Sequence, residues 1–218
     1  MIIIVPAYNE EKRIGRVISG LLEHGYDNIV VIDDGSVDNT AKIAKKAGAM
    51  IVRHPINRGQ GAALETGNEF ARQRKEEQVI HFDGDDQFNA LDIKTALEKM
   101  SKTDADVVLG SRFLDKRSKL PFLKKYFILP VGRWVNYIFT GISLTDAHNG
   151  FRILNNRALQ KIKIVQDGMA HNTEIIRLIK KNNLKFIEVS VEVRYHSFGQ
   201  SVGGGLKIIK DLLFGKII

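Results

Sequence analysis

The 218-residue sequence contains no cysteine, which excludes a disulfide framework and any metal site built on thiolates. It also lacks an apolar run of about 18 residues, the length that a membrane-spanning helix needs. Met1 leads directly into a short apolar strand, without the basic n-region or cleavage site of a secretory signal. These absences are compatible with a protein of a reducing compartment.

Motifs of several common enzyme classes are missing as well. No phosphate-binding loop of the form G-x-x-x-x-G-K-[ST] and no H-E-x-x-H zinc helix occur. The G-x-S-x-G pattern of residues 199–203 has no histidine downstream, so a hydrolase with the usual order of triad residues is not expected. Residues 83–94 do not form an EF-hand loop, because Phe88 and Lys94 replace its required glycine and glutamate.

The sequence has an excess of positive charge. Lysine and arginine number 33 and acidic residues 25, giving a formal net charge of +8. This charge indicates an anionic partner, which could be a nucleic acid, a phospholipid headgroup or a phosphorylated substrate. With 44% hydrophobic residues, the chain can bury one substantial core, as one domain or as two closely joined halves.

The first half alternates short, β-branched apolar runs with amphipathic stretches. Strands are predicted at residues 2–5, 29–32, 50–52, 79–82 and 107–109. Helices are predicted between them at residues 14–22, 41–47, 61–74 and 89–100. The alternation predicts an α/β fold with a mostly parallel sheet flanked by helices. Later in the chain the segment 151–154 follows a polar turn, and we predict a helix at 171–181 and strands at 186–189 and 191–195.

Polar residues follow three of the predicted strands, and Asp83-Gly84-Asp85 is the most informative of these segments. Two carboxylates at positions i and i+2 beside a buried strand repel each other, and Mg²⁺ or Mn²⁺ would relieve that repulsion while binding substrate phosphates. Asp33-Asp34 and the segment 6–10 end two other strands. Because ligands bind beyond the carboxyl ends of parallel strands, we expect all three segments to meet in one crevice.

The second half contains a segment rich in both basic and bulky apolar residues. Residues 112–136 include seven lysines or arginines and one acid, and the amphipathic pattern extends over 113–139. The tail at 206–218 also has one apolar face. Such helices suit a membrane interface, but an ordinary helix with a core-facing side and a solvated basic side has the same pattern. Both interpretations remain open at this point.

Several motifs occur together in a fixed order. They are Val5-Pro6-Ala7-Tyr8-Asn9-Glu10, Val31 to Thr40, Asn57 to Ala63, Asp83-Gly84-Asp85, Gly110 to Phe113, Asn149-Gly150-Phe151-Arg152 and Gly199-Gln200-Ser201. In this combination the sequence resembles family 2 glycosyltransferases of the GT-A fold, and among them the polyprenyl-phosphate sugar transferases. The resemblance covers nearly the whole chain.

The resemblance implies a single GT-A domain, with a nucleotide-sugar-binding half at 1–110 and an acceptor-binding half at 111–218. The residues that it assigns to the nucleotide are Pro6, Ala7, Tyr8, Glu10, Asp33, Asp34 and Asp83. Those that it assigns around the Mg²⁺ or Mn²⁺ ion are Asp83, Asp85 and Gln87. Asp86 adds a further carboxylate to this turn and leaves the ligand set open. Turns and helix caps would also explain Asp33 and Asp34. Asn57 to Gly61 would allow a tight turn and a helix N-terminus near the phosphates, and close packing would explain the same residues equally well.

The predicted reaction moves a sugar from a UDP- or GDP-linked donor to polyprenyl phosphate at the cytoplasmic face of a membrane. The catalytic candidates are Asp85, Arg112, Arg152 and Asp146. The candidates for binding the acceptor phosphate are Arg112, Arg152, His196 and Ser201. A hydroxyl acceptor would instead need a base, for which Asp146, His148 and Glu174 are candidates. That alternative is a soluble glycosyltransferase; a basic nucleic-acid-binding protein is a second one, and it leaves the paired acids unexplained.

Overall fold

The computed structural model describes residues 1–115, 117, 137, 140–146 and 149–194. In this part of the chain a seven-stranded sheet forms the centre of the molecule. The strands are β1 Ile2–Ala7, β2 Ile29–Asp33, β3 Met50–Arg53, β4 Gln78–His81, β5 Val107–Ser111, β6 Arg152–Asn155 and β7 Phe186–Ser190. The helices are α1 Ile14–Glu23, α2 Thr40–Lys46, α3 Gln60–Gln73, α4 Leu91–Thr103, α5 Asn156–Lys161 and α6 His171–Lys181.

The sheet order is β3-β2-β1-β4-β6-β5-β7. The first four of these strands are parallel, and β5 and β7 are parallel to each other. β6 lies antiparallel between β4 and β5. The predicted α/β fold with a mostly parallel sheet is therefore confirmed. β6 and β7 come from the second half of the chain, so both halves build one sheet.

Each face of the sheet is covered by helices. One apolar cluster joins the sheet to α1, α2 and α4. A second cluster joins the opposite face to α3, α5 and α6. The central strands β1 and β2 are buried along their whole length, which explains why they are continuous apolar runs. Among the described residues, no helix has the length and apolar character needed to cross a membrane.

Two local predictions were wrong. The segment 191–195 is not a strand within the residues that the structure describes; Val193 forms a single bridge to Phe88 instead. The short helix α5 was not predicted; the side chain of Asn155 caps its start by accepting a hydrogen bond from the Ala158 amide. The predicted amphipathic segment 113–139 lies mostly outside the described residues, and the tail 206–218 lies wholly outside them.

Candidate active site

The carboxyl ends of β1, β2 and β4 meet at one edge of the sheet, as predicted. The Asp34 amide donates to the Ala7 carbonyl at 2.9 Å, and the Asn9 amide donates to Ser36 Oγ at 2.9 Å. On the other side of β1, a Cβ added to Gly84 would lie 3.0 Å from the Pro6 carbonyl oxygen. The three polar segments therefore form one continuous rim.

The carboxylate of Asp34 organises the turn that follows β3. It accepts hydrogen bonds from His54 Nδ1 at 2.7 Å, from the Arg58 amide at 2.9 Å and from the Gly59 amide at 2.7 Å. Asp34 is 3% exposed, so these bonds are made away from bulk water. The structure thus gives Asp34 a clear role in fixing the turn. Its role in binding a nucleotide stays a prediction.

Asp33 stabilises the turn after β2. Its Oδ1 accepts from the Ser36 amide at 3.0 Å, and its Oδ2 lies 3.0 Å from Arg53 Nε. Two other residues assigned to the nucleotide lie at the same edge. Tyr8 is 46% exposed beside the end of β1, and Glu10 pairs with Arg13 at 2.8 Å. Pro6 and Ala7 are buried at the end of β1.

The start of α3 is closely packed against the backbone of residues 166–168. The amides of Gly61 and Ala62 donate to the Asp167 carbonyl at 2.8 and 3.3 Å. A Cβ at Gly61 would lie 1.9 Å from the Gln166 carbonyl oxygen, and one at Gly59 would lie 2.4 Å from that of Asp167. These short distances show that close packing accounts for the two glycines. In addition, two of the first amides of α3 already have a protein acceptor.

The Asp83-Gly84-Asp85 turn follows β4 and lies at one end of this rim. Gln60, at the start of α3, donates through Nε2 to Asp83 Oδ1 at 2.8 Å. The Gly59 amide donates to Asp34, and the next residue, Gln60, donates to Asp83. These two contacts connect Asp34 to Asp83 through the start of α3. Burial raises the pKa of Asp83, and the charge of Arg152 opposes this rise.

Asp85 has a strongly perturbed carboxyl group. Burial, with the neighbouring Asp83 as the second cause, raises its pKa to about 7. Its Oδ1 accepts one hydrogen bond, from the Gln87 amide at 3.2 Å. Asp85 and Asp83 therefore form a pair of like charges, and an added cation would relieve the repulsion between them.

Asp86 has a different role from these two acids. It adopts a left-handed backbone conformation with φ of 64°. Its Oδ2 accepts from Arg16 Nε of α1 at 2.9 Å. The further carboxylate of this turn thus joins the turn to α1.

Arg112 and Asp146 form a bidentate ion pair. The Nε and Nη2 atoms of Arg112 lie 2.6 and 2.7 Å from the two carboxylate oxygens. Burial raises the pKa of Asp146, but the hydrogen bonds and charge of Arg112, with a hydrogen bond from Asn149, together hold the pKa below its ordinary value. The predicted role of Asp146 as a base is therefore poorly supported, because a carboxylate held in this way takes up protons weakly. The guanidinium fork of Arg112 contacts Asp146, and its binding of an acceptor phosphate stays a prediction.

Arg152 lies on β6, beneath the Asp83 turn, and is 2% exposed. Its Nη2 donates to Asn172 Oδ1 on α6. The contact of Arg152 with an acceptor phosphate stays a prediction. His148, His196 and Ser201 lie outside the described residues. Arg194, the last residue described, donates its amide to the Gln87 carbonyl at 2.9 Å.

This arrangement of acids can be compared with known proteins. Residues 2–163 match the model of glycosyl transferase family 2. The chain belongs to this family. A UDP-N-acetylglucosamine–dolichyl-phosphate N-acetylglucosaminyltransferase of Methanococcus voltae is 30% identical, covering 99% of this chain and 95% of that protein. A dolichyl-phosphate β-glucosyltransferase of Trichomonas vaginalis is 28% identical, covering 96% of this chain and 71% of that protein.

A solved structure shows the same fold. Glucosyl-3-phosphoglycerate synthase of Mycobacterium tuberculosis, in complex with Mn²⁺, UDP and glucosyl-3-phosphoglycerate, superposes with a TM-score of 0.75 and 18% identity. The superposition covers 97% of this chain and 78% of that one. The predicted GT-A fold is thus confirmed, and this chain is a glycosyltransferase that resembles polyprenyl-phosphate sugar transferases.

Two carboxylates of the transferase, those of Asp83 and Asp85, could bind a divalent cation, whose other ligands would come from water and substrate. No group of three or more His, Asp or Glu side chains in the described part of the chain forms a metal cage. Mg²⁺ commonly binds to one or two carboxylates and completes its coordination with water and substrate phosphates. Asp83 and Asp85, with the raised pKa of Asp85, fit that mode of binding. The predicted part of Gln87 in the ligand set stays a prediction.

Three residues near the site were not predicted to contribute to it. Gln60 contacts Asp83, and Asn172 contacts Arg152. A Cβ on Gly150 would lie 2.1 Å from Asp83 Oδ2, so only glycine fits against this carboxylate. Gln60 and Gly150 belong to motifs noted in the sequence, yet nothing in those motifs indicates that both contact Asp83. Asn172 lies in an amphipathic helix, and nothing in the sequence of that helix indicates a contact with Arg152.

Proposed function

We propose that this glycosyltransferase moves a sugar from a nucleotide sugar to a polyprenyl phosphate in a single, inverting displacement that depends on Mg²⁺ or Mn²⁺. We place this reaction at the cytoplasmic face of a membrane, with the basic and apolar segments of the second half in peripheral contact with lipid. The UDP- or GDP-linked sugar is the donor, and nucleic acid is not a partner.

The observation that carries this proposal is the Asp83–Asp85 pair at the shared edge of the parallel strands. Burial and the charge of Asp83 raise the pKa of Asp85 to about 7, so this pair of carboxylates favours a bound cation over a bound anion. A diphosphate alone would be repelled there, whereas a diphosphate with a divalent cation would be attracted. A nucleic-acid-binding protein has no need for acids at this position.

In the proposed reaction, an acceptor oxygen attacks the anomeric carbon of the sugar as the bond to the diphosphate breaks. Negative charge accumulates on the leaving diphosphate, and a bound cation would supply Lewis-acid stabilisation of that charge. Asp83 and Asp85 are the residues that would hold it. Gln60 and Gly150 fix the position of Asp83, so the carboxylate needs little reorganisation during the reaction.

The state of the candidate bases favours an acceptor that is already ionised. Asp146 is bound to Arg112, and its pKa is low. Burial raises the pKa of Glu174, but its carboxylate accepts hydrogen bonds from the amides of Val165 and Gln166, at 3.1 and 2.9 Å, and so holds that loop. A phosphate monoester carries between one and two negative charges at neutral pH and needs no base. The names of the two relatives, both dolichyl-phosphate sugar transferases, support the same acceptor class.

The acceptor class can be tested directly with the purified full chain. Radiolabelled UDP- and GDP-sugars are incubated with Mn²⁺ and either a short-chain polyprenyl phosphate or the matching polyprenol. Label that enters the organic phase only with the phosphate supports the proposal. Transfer to polyprenol or to a soluble glycan would show a hydroxyl acceptor and would overturn the assignment.

Asp85→Asn is the activity variant, and Asp86→Asn is its matched control. Both replace an acid in the same turn, but only Asp85 belongs to the carboxylate pair. We expect Asp85→Asn to lose transfer and Asp86→Asn to retain most of it. Metal-dependent turnover by Asp85→Asn would contradict the role given to this carboxylate.

A further inference from the structure

A layer of buried polar side chains lies directly beneath Asp83. It consists of Asn68 on α3, His81 on β4, Arg152 on β6 and Asn172 on α6, and each is at most 3% exposed. His81 Nε2 lies 2.8 Å from Asn68 Oδ1, and Arg152 donates to Asn172. This layer connects two helices and two strands below the site.

The sheet register places Arg152 on the same face as Asp83. In the antiparallel pairing of β4 and β6, His81 is directly opposite Arg152, and directly opposite residues project to one face. Two residues further along, Gly150 lies against Asp83, since a Cβ there would be 2.1 Å from Oδ2. Strand alternation then brings Asp83, His81 and Arg152 to the α3 side of the sheet.

Arg152 and Asp83 are close enough for their charges to affect each other. Burial lowers the pKa of Arg152 to about 10, and Asp83 is the first of the two acids that oppose this change. For Asp83, burial raises the pKa, and Arg152 is the first of the groups that oppose it. Arg152 therefore remains charged at neutral pH and favours the ionised form of Asp83.

The layer of buried polar side chains also contains atoms that destabilise the fold. Three of its atoms have no hydrogen-bond partner among the described residues: Asn68 Nδ2, His81 Nδ1 and Arg152 Nη1. Unpartnered polar atoms in a protein interior destabilise the fold. An apolar layer would avoid this cost, so the position of Arg152 is best explained by what its charge does for Asp83.

We propose that Arg152 is a positioning residue that acts through Asp83: a fixed, buried positive charge, held by Asn172, that orients the Asp83 carboxylate toward the donor. The orientation toward a donor rests on the proposed function, whereas the coupling between the two charges does not. This role differs from the predicted contact of Arg152 with the acceptor phosphate.

The coupling is tested by a double-mutant cycle on thermal unfolding, measured in EDTA. Arg152→Met leaves Asp83 without its counter-charge and should lower the Tm by roughly 5–15 °C. Adding Asp83→Asn should restore part of that loss, because the two changes together remove both charges. Additive effects of the two substitutions would overturn the proposal. If Arg152→Met does not fold, Asn172→Ala replaces it in the cycle, since it releases the guanidinium and keeps the charge.

A second measurement separates positioning from acceptor binding. Calorimetry measures the binding of UDP with Mn²⁺ to the wild type, to Arg152→Lys and to the control Arg157→Lys. Arg157 is a suitable control because it pairs with Asp106 at 3.1 Å, away from the site. Arg152→Lys should weaken UDP–Mn²⁺ binding about tenfold, as changes behind a metal ligand commonly do, and leave the KM for the acceptor unchanged. A raised acceptor KM with unaltered UDP–Mn²⁺ binding would instead show a phosphate clamp. If the wild type binds no nucleotide, the proposed function fails, and the unfolding cycle still decides the coupling.

Discussion

Replacing Asp85 by asparagine should stabilise the metal-free protein while removing its activity. In the folded chain the pKa of Asp85 is about 7, against 3.8 for an unperturbed aspartate. Between about pH 4 and pH 7 the unfolded chain has released this proton and the folded chain has kept it. Raising the pH through this window therefore weakens folding, and the loss is complete above the folded pKa.

The size of this effect follows from the difference of about 3 pKa units. At about 1.36 kcal/mol per unit, the ionised form costs at most about 4 kcal/mol, and partial exposure to solvent reduces this to about 2–4 kcal/mol. Asparagine does not titrate, and its side-chain oxygen can still accept the hydrogen bond from Gln87. The Tm of Asp85→Asn in EDTA at pH 8 should thus exceed that of the wild type by roughly 5–15 °C.

The assay is thermal or urea unfolding of both proteins in EDTA from pH 4.5 to pH 8. The advantage of Asp85→Asn should grow with pH up to about 7 and then become constant. Asp86→Asn is the control, since it removes an exposed ion pair worth about 0–1 kcal/mol and should stabilise nothing. If Asp85→Asn is no more stable than the wild type at pH 8, or if its advantage does not shrink at pH 4.5, the reasoning is refuted.

Three further substitutions test the surroundings of the site. Gly150→Ala should displace Asp83 and lower sugar transfer about 10–100-fold in a folded protein, as far-UV circular dichroism and turnover will show; full activity would contradict the contact. Asp146→Asn should remove the negative charge that faces Arg112 and cost about 3–5 kcal/mol in urea unfolding, and an unchanged midpoint would count against the buried pair. Asp34→Asn should cost about 1–3 kcal/mol by disturbing the turn after β3, whereas a loss of nucleotide binding at unaltered stability would assign this acid to the ligand alone.

The first half of the fold could be predicted from the sequence because its strands are buried on both faces. Such strands are short, continuous apolar runs, and the helices between them show the 3.6-residue period of one apolar face. The polar segments at the strand ends then had to share one edge, because parallel strands place their carboxyl ends together. This is why the Asp83–Asp85 turn and the Asp34 turn were correctly expected in one crevice.

The order of the later strands could not be predicted in the same way. β6 lies between β4 and β5, and its sequence carries no signal for that pairing, which depends on contacts between residues far apart in the chain. Val191 and Val193 alternate like strand residues and are buried, yet the Val191 amide donates to the Ser111 carbonyl and Val193 bridges to Phe88, in place of the predicted strand. Alternation indicates that a side chain is buried; it does not identify the neighbour.

The polar contacts within the site were the least predictable feature. An arginine in a family motif is equally compatible with a phosphate ligand and with a bidentate pair, and the structure places Arg112 against Asp146. The contact of Gly150 with Asp83 arises from the β4–β6 register, which the sequence did not reveal. Such contacts join residues that are far apart in the chain, so they form only when the sheet is assembled.

The most direct test of the central claim is whether nucleotide and cation bind together at the Asp83–Asp85 turn. The Tm of the full chain is measured with UDP or GDP alone, with Mn²⁺ or Mg²⁺ alone, and with each pair. The account predicts that at least one nucleotide–cation pair raises the Tm by more than the sum of its components, and that Asp85→Asn abolishes this excess. A nucleotide that binds equally well in EDTA, or an excess that survives in Asp85→Asn, would contradict it.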